Sequence, residues 1–145
     1  MKDYSILKEI YANNHNSERI YRNKSCQNMV YTDGVMDFLE VFDAHWIIDN
    51  VINFMPEVLK TLEKTKDTLY DVQIVLQQDN SGFMEVYRKG YVDKVYHKHI
   101  SVFKQIIPFI DLPTKPNTKI TRYKFYLVLS KYEPIIFTLR LPSEQ

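Results

Sequence analysis

Three residues beside the chain's only tryptophan have side chains that acid–base chemistry uses. Asp33, His45 and Asp49 lie in the stretch VYTDGVMDFLEVFDAHWIIDN, and Asp49 follows His45 by four positions, as on one face of a helix. A general base also needs a nucleophile and a pocket. The sequence reveals neither, so the favoured interpretation is a helix cap followed by a polar pair that flanks a buried Trp46.

His97 and His99 form a second candidate, since residues two positions apart share one face of a strand. Two imidazoles can bind zinc, but a structural zinc site needs four ligands. Asp93 is near in the sequence and His15 is distant, and no second ligand pair is evident. We therefore predict an exposed basic strand, with no metal and no other cofactor.

Cys26 is the single cysteine, which excludes a disulfide within the chain and a thiolate zinc site. Its surroundings, NKSCQN, match no catalytic signature, and a lone thiol suits a reducing cytoplasm. The first residues lack the apolar run of a signal peptide, and no stretch approaches the roughly 18 apolar residues of a membrane helix. We expect a cytoplasmic protein that does not enter a membrane.

The composition is that of one soluble domain spanning residues 1–145, with 45% hydrophobic and 26% charged residues. Three glycines are few, and neither GxxxxGK[ST] nor GxGxxG occurs, which disfavours a glycine-rich phosphate loop. We find no catalytic constellation and predict that the protein is not an enzyme.

Charge is unevenly distributed, although the net charge is only +1. Residues 28–63 contain seven acids and one base, whereas residues 86–145 contain eleven bases and four acids. Both regions can simply be solvated faces. If the two regions are binding surfaces, seven residues are candidates for contact with a protein partner: Asp37, Glu40, Asp43 and Glu57 in the acidic region, and Arg88, Lys89 and Lys98 in the basic one.

Aromatic residues alternate with the bases of the second region, a pattern typical of sheets that bind single-stranded nucleic acid. The residues are Tyr87, Arg88, Lys89, Tyr91, Tyr96, Lys98, Arg122, Tyr123, Lys124, Phe125 and Tyr126. The glycine-rich RNA-recognition signature is absent, and Tyr123 and Phe125 fall on the apolar side of their strand, so we interpret those two as core.

Hydrophobic spacing predicts helices in residues 1–66. Val35, Phe38, Leu39 and Phe42 follow helical spacing, and Thr32 or Asp33 is the expected cap. A second stripe continues from Ile48 to Leu62. Pro56 interrupts this stripe, so we expect the helix to stop or kink there and residues 56–65 to restart as their own helix.

Residues 67–145 are predicted to be mainly β-sheet. Alternation and turn residues indicate strands at 72–77, 83–88, 95–103, 122–129 and 135–139. Short connections imply antiparallel pairing. The predicted fold class is α+β, with N-terminal helices packed on one face of an antiparallel meander of about five strands.

The residues of the opening stretch also carry a resemblance. TDGV at 32–35, Leu39-Glu40, Ala44, Trp46 and Ile48-Asp49 resemble the TDGV…LAE…A-YWLID signature of an uncharacterised family of small proteins from bacteria, their phages and mobile elements. Asp79, Gly82, the Asp-Leu-Pro at 111–113 and the Leu-Pro-Ser-Glu at 141–144 also fit. His45, Gln145 and the material around 92–102 depart from it.

The resemblance implies a biological context and no activity. We expect a small accessory protein of phage or mobile-element type that binds a protein partner, such as an inhibitor of a host defence system of the anti-CRISPR kind. The alternative is a single-stranded nucleic-acid-binding module that uses the basic and aromatic strands. A homodimer stays open, since twofold dimers are the commonest soluble oligomers.

Overall fold

The computed structural model describes residues 3–16 and 19–144. Within these ranges the chain forms three helices and seven strands, so the predicted α+β class is confirmed. The helices are α1 (Ile6–Asn13), α2 (Asp33–Val41) and α3 (Trp46–Thr65). The strands are β1 (Ile20–Arg22), β2 (Met29–Thr32), β3 (Leu69–Gln77), β4 (Gly82–Val92), β5 (Val95–Ile107), β6 (Ile120–Leu129) and β7 (Phe137–Arg140).

The strands form one sheet in the order β1-β2-β7-β6-β3-β4-β5. The five strands predicted from alternation are present as β3 to β7, but the prediction of about five strands in a purely antiparallel meander was wrong. Strand β2 runs parallel to β7, with Met29 opposite Phe137, and β1 pairs with β2. All four residues of β2 are buried, so no alternation marks it in the sequence.

Helix α2 begins where the sequence predicted. The hydroxyl oxygen of Thr32 accepts a hydrogen bond from the amide of Val35 over 3.3 Å, which makes Thr32 the cap. Phe38 and Leu39, on the predicted apolar stripe, are fully buried. The helix therefore follows from its cap and its spacing.

Helix α3 continues through Pro56, so the prediction that residues 56–65 form a separate helix was wrong. A proline inside a helix costs about 3 kcal/mol because it removes one backbone hydrogen bond and crowds the preceding turn. The side chain of Pro56 is exposed, while Phe54, Met55 and Val58 on either side of it are buried. Burial of this continuous stripe offsets the cost of the proline.

The central strands have two distinct faces. Tyr123 and Phe125 of β6 are buried and contact the ring of Phe38 from α2, with centroids 5.7 and 5.1 Å apart. On the same face, Phe54 of α3 packs against Phe103 of β5 at 5.0 Å. We call this side the core face. The intervening residues define the opposite side, which we call the open face: Asp71, Gln73, Val75, Phe83, Glu85, Tyr87, Arg122, Lys124 and Tyr126.

Candidate functional site

Strands β4 and β5 extend well beyond the rest of the sheet. Strand β3 pairs with β4 as far as Tyr87, whereas β4 and β5 remain paired to Val92 and Val95. Asp93 and Lys94 connect them with positive φ angles of 50° and 70°, the backbone of a tight hairpin turn. We call residues 89–99 the arm; every residue from 91 to 99 is exposed.

The arm displays large apolar side chains in two cross-strand pairs. Tyr91 lies opposite Tyr96, with ring centroids 5.2 Å apart, and the two residues are 71% and 48% exposed. Val92 lies opposite Val95, and both are exposed. Contiguous exposed apolar residues of this kind mark interaction surfaces, because isolated ones are ordinary but clusters are unfavourable in water.

The basic candidates are distributed unequally around this arm. Lys89 and Lys98 lie on it with exposed side chains. Arg88 lies at its base, where its side chain is 19% exposed and its Nη1 is 3.4 Å from the Asp67 carboxylate. Arg88 therefore has a partner within the chain, and the two lysines carry the available charge.

The acidic candidates lie on helices α2 and α3 and, for Asp43, in the turn between them. Asp37 accepts a hydrogen bond from the side-chain amide of Asn14 over 3.2 Å. Glu57 is 3.6 Å from Lys60 of the same helix. Glu40 and Asp43 are exposed at the end of α2, so they are the more accessible part of this set.

The residues first considered for acid–base chemistry have positions that caps and helix surfaces explain. Asp33 is the first residue of α2. His45 precedes α3 and Asp49 lies in its first turn, and both are exposed. Among residues 3–16 and 19–144, no group of three or more His, Cys, Asp or Glu side chains could hold a metal ion.

The lone cysteine lies against the helical layer. Cys26 is partly buried, and its sulfur is 3.9 Å from the sulfur of Met55 in α3. Its amide donates a hydrogen bond to the side-chain oxygen of Asn23 over 2.8 Å. These contacts are those of a packing residue.

The open face contains a shallow depression of about 510 Å³. Its lining residues come from four different strands: Gln73, Tyr87, His99, Arg122 and Lys124. The register explains the convergence, because Gln73 of β3 lies opposite Lys124 of β6 on one side and Glu85 of β4 on the other. The depression therefore combines three nitrogen bases or cations, one amide and one aromatic ring.

Two nearly buried carboxylates organise this depression. Asp71 lies 3.8 Å from both His99 Nε2 and Lys124 Nζ. Glu85 accepts hydrogen bonds from the hydroxyls of Tyr87 and Ser101. Burial and the hydrogen bond to Glu85 raise the pKa of Tyr87 to about 12, so this hydroxyl keeps its proton to a more alkaline pH than an ordinary tyrosine does.

Sequence reasoning found part of this surface and missed the rest. Tyr87, Arg122, Lys124 and Tyr126 were in the basic and aromatic pattern, and Tyr123 and Phe125 are confirmed as core. Asp71, Gln73 and Glu85 were missed. The available signal was the alternation of Asp71 and Gln73 with the apolar Val72 and Ile74, and only the strand register relates these two polar residues to β6.

No helix within the described ranges has the length and apolar character needed to cross a membrane. A family model described as a family of unknown function, DUF6876, matches residues 5–145 of the chain. No curated protein and no solved structure matches. The chain therefore belongs to the DUF6876 family.

Proposed function

We propose that this member of the DUF6876 family is a non-enzymatic protein that binds a protein partner through the arm. The observation that carries the proposal is the exposure of Tyr91, Val92, Val95 and Tyr96 on a hairpin that extends beyond the sheet. Interfaces are enriched in tyrosine, which buries a large area with few rotatable bonds. With the helices packed on the core face, both sides of the arm stay accessible.

The charges of the arm indicate the chemistry of the partner. Lys89, Lys94 and Lys98 are exposed beside the apolar pairs, and Asp93 is the one acid among residues 89–99. A basic rim around an apolar centre favours a partner with an acidic rim around an apolar pocket. Glu40, near the end of α2, and Asp43, just after it, form a second exposed surface, which is acidic and would favour a basic partner.

We propose that the partner is a component of a host defence system, of the kind that anti-CRISPR proteins inhibit, and that the chain comes from a phage or mobile element. The support is the resemblance of the TDGV and WIID segments to proteins of that origin, together with the exposed apolar pairs of the arm. The protein would act in the cytoplasm.

Affinity capture from lysate of the host, infected and uninfected, tests the proposal. The bait is the wild-type protein, the double variant Tyr91→Ala/Tyr96→Ala, or the control Tyr132→Ala, whose tyrosine is 83% exposed on a different loop. We expect one dominant protein that wild type and control retain and the double variant loses. Equal retention by all three baits would contradict the role of the arm.

Binding of single-stranded nucleic acid is a second candidate, favoured by the basic and aromatic side chains on strands β4, β5 and β6. Arg122 and Lys124 lie on the open face with Tyr87 and Tyr126, and Lys124 Nζ is 5.3 Å from the ring centroid of Tyr126. In the affinity capture, nucleic acid that co-purifies with the bait and is released by salt would favour this function over the first.

A further inference from the structure

We infer that the depression on the open face is a nucleotide-binding site, which holds a phosphate on Arg122 and Lys124 and a base against Tyr87 and His99. This inference goes beyond the proposed protein contact, since that contact uses Tyr91, Val92, Val95 and Tyr96 of the arm, and the depression shares only His99 with the arm. It would also give the second candidate function a defined binding site.

The cations of the depression are available to an anion. Arg122 is exposed, and its one close polar contact with the described residues, 3–16 and 19–144, is a long 3.5 Å approach to the side-chain oxygen of Gln73. A guanidinium in this state can donate two parallel hydrogen bonds to a phosphate. Lys124 lies on β6, the strand of Arg122, opposite Gln73 of β3, and it adds a second positive charge.

The nearly buried carboxylate of Asp71 lies beside Lys124 and His99 and offsets one positive charge, so Arg122 carries the charge most available to a phosphate. Asp71 is nearly buried, and both Lys124 Nζ and His99 Nε2 are 3.8 Å from it, longer than the 2.7–3.2 Å of a good hydrogen bond. Their N–H groups therefore remain free to turn toward a ligand.

Aromatic surface lies next to the cations. The rings of Tyr87 and His99 pack edge to face with their centroids 5.2 Å apart. The hydrogen bond from the Tyr87 hydroxyl to Glu85 fixes the tyrosine ring. Bases stack on such rings, and the amide of Gln73 can donate to and accept from a base edge. A phosphate site beside a fixed ring is the chemistry that recognises a nucleotide.

The dimensions agree with this class of ligand. A volume of about 510 Å³ lies within the range of roughly 300–1,000 Å³ typical of small-molecule sites. The same chemistry fits a free mononucleotide or one unit of a single-stranded chain. The depression opens widely on the sheet face, which admits either.

Calorimetric titration of the full chain at low salt distinguishes these sources. The probes are AMP, adenosine, inorganic phosphate and a short single-stranded oligo-dA. We expect AMP to bind more tightly than adenosine or phosphate alone. If oligo-dA binds much more tightly than AMP and its binding weakens with salt, the ligand is the single-stranded polymer. If oligo-dA and AMP bind with equal affinity, the ligand is the mononucleotide. Absence of binding tighter than about 1 mM by both AMP and oligo-dA would overturn the inference.

Substitutions locate the site. Arg122→Ala and Lys124→Ala should each weaken binding by about tenfold or more, while Lys60→Ala, which removes an exposed lysine from α3, should leave it unchanged. Equal weakening by all three variants would mean a nonspecific charge effect and would overturn the site. Arg122→Gln repeats the test if the alanine variant does not fold.

The arm variant separates this inference from the proposed protein contact. Tyr91→Ala/Tyr96→Ala should bind the nucleotide as wild type does. If this variant lost nucleotide binding while Arg122→Ala kept it, the nucleotide site would lie on the arm, and the assignment to the depression would be wrong.

Discussion

Thr32 donates a hydrogen bond to Glu144 over 2.6 Å, although 112 positions separate the two residues in the chain. The Glu144 carboxylate also accepts from the amides of Gly34 and Leu141, at 3.3 and 2.8 Å. Thr32 is the cap of α2, so the closing residues complete the start of that helix. The TDG and LPSE segments of the sequence signature meet at this point.

Glu144→Gln should destabilise the fold. The amide has one oxygen where the carboxylate has two, so at least one buried donor among Thr32, Gly34 and Leu141 would lose its acceptor. The expected loss is about 1–3 kcal/mol of unfolding free energy. Urea unfolding at neutral pH measures it. Glu63→Gln, at an exposed position on α3, is the matched control, and an equal effect in both variants would contradict the role of Glu144.

Gly34→Ala should also destabilise the protein, although alanine is ordinarily better than glycine in a helix by about 1 kcal/mol. A Cβ at this position would lie 2.7 Å from the carboxyl carbon of Glu144, closer than such atoms approach. We expect a loss of about 1–3 kcal/mol in the same unfolding assay, from the displaced carboxylate.

A double-mutant cycle identifies the cause of that loss. In the Glu144→Ala background the obstructing carboxylate is gone, so Gly34→Ala should become neutral or stabilising. If Gly34→Ala cost the same in both backgrounds, its effect would come from another contact of the helix.

Tyr123→Phe tests the anchor of the loop that precedes β6. The hydroxyl of this buried tyrosine donates to the carbonyl of Pro113 over 2.6 Å. Its removal leaves a buried carbonyl without that donor and should cost about 1 kcal/mol or slightly more in thermal or urea unfolding. Tyr132→Phe, on an exposed side chain, should have no measurable effect.

Alkaline pH should destabilise the protein, because four tyrosines hold their protons more strongly in the folded chain than in the unfolded chain. Burial raises the pKa of Tyr11, Tyr70 and Tyr87 from 10.0 to about 12 and raises that of Tyr123 further. The folded chain keeps protons that the unfolded chain releases above pH 10, so stability present below pH 10 is lost as the pH rises toward 12. Unfolding free energies at about pH 9 and about pH 11 measure this, and an unchanged value would contradict it.

The local parts of the fold could be predicted from the sequence because their signals are local. Thr32 and the spacing from Val35 to Leu39 indicate helix α2, and alternation in Tyr123, Phe125 and Leu127 indicates β6. Strand β2 could not be predicted, since it is buried on both sides and its parallel partner β7 lies at the far end of the chain.

The candidate surfaces also differ in whether local sequence signals or long-range strand pairing define them. The basic and aromatic residues of the arm lie close together in sequence and could be named in advance. The depression could not, because β3 lies between β4 and β6, and only this strand order places Gln73 and Asp71 beside Lys124. Pro56 shows the limit of a local rule, since a buried stripe on both sides of it outweighs its cost.

The most direct test of the central claim is the affinity of the captured and purified partner for wild-type protein, Tyr91→Ala/Tyr96→Ala and Tyr132→Ala. Truncation of two interface tyrosines should weaken binding at least about tenfold, while Tyr132→Ala binds as wild type does and all three proteins show the same thermal stability. Unchanged affinity of the double variant would contradict a function that depends on the arm.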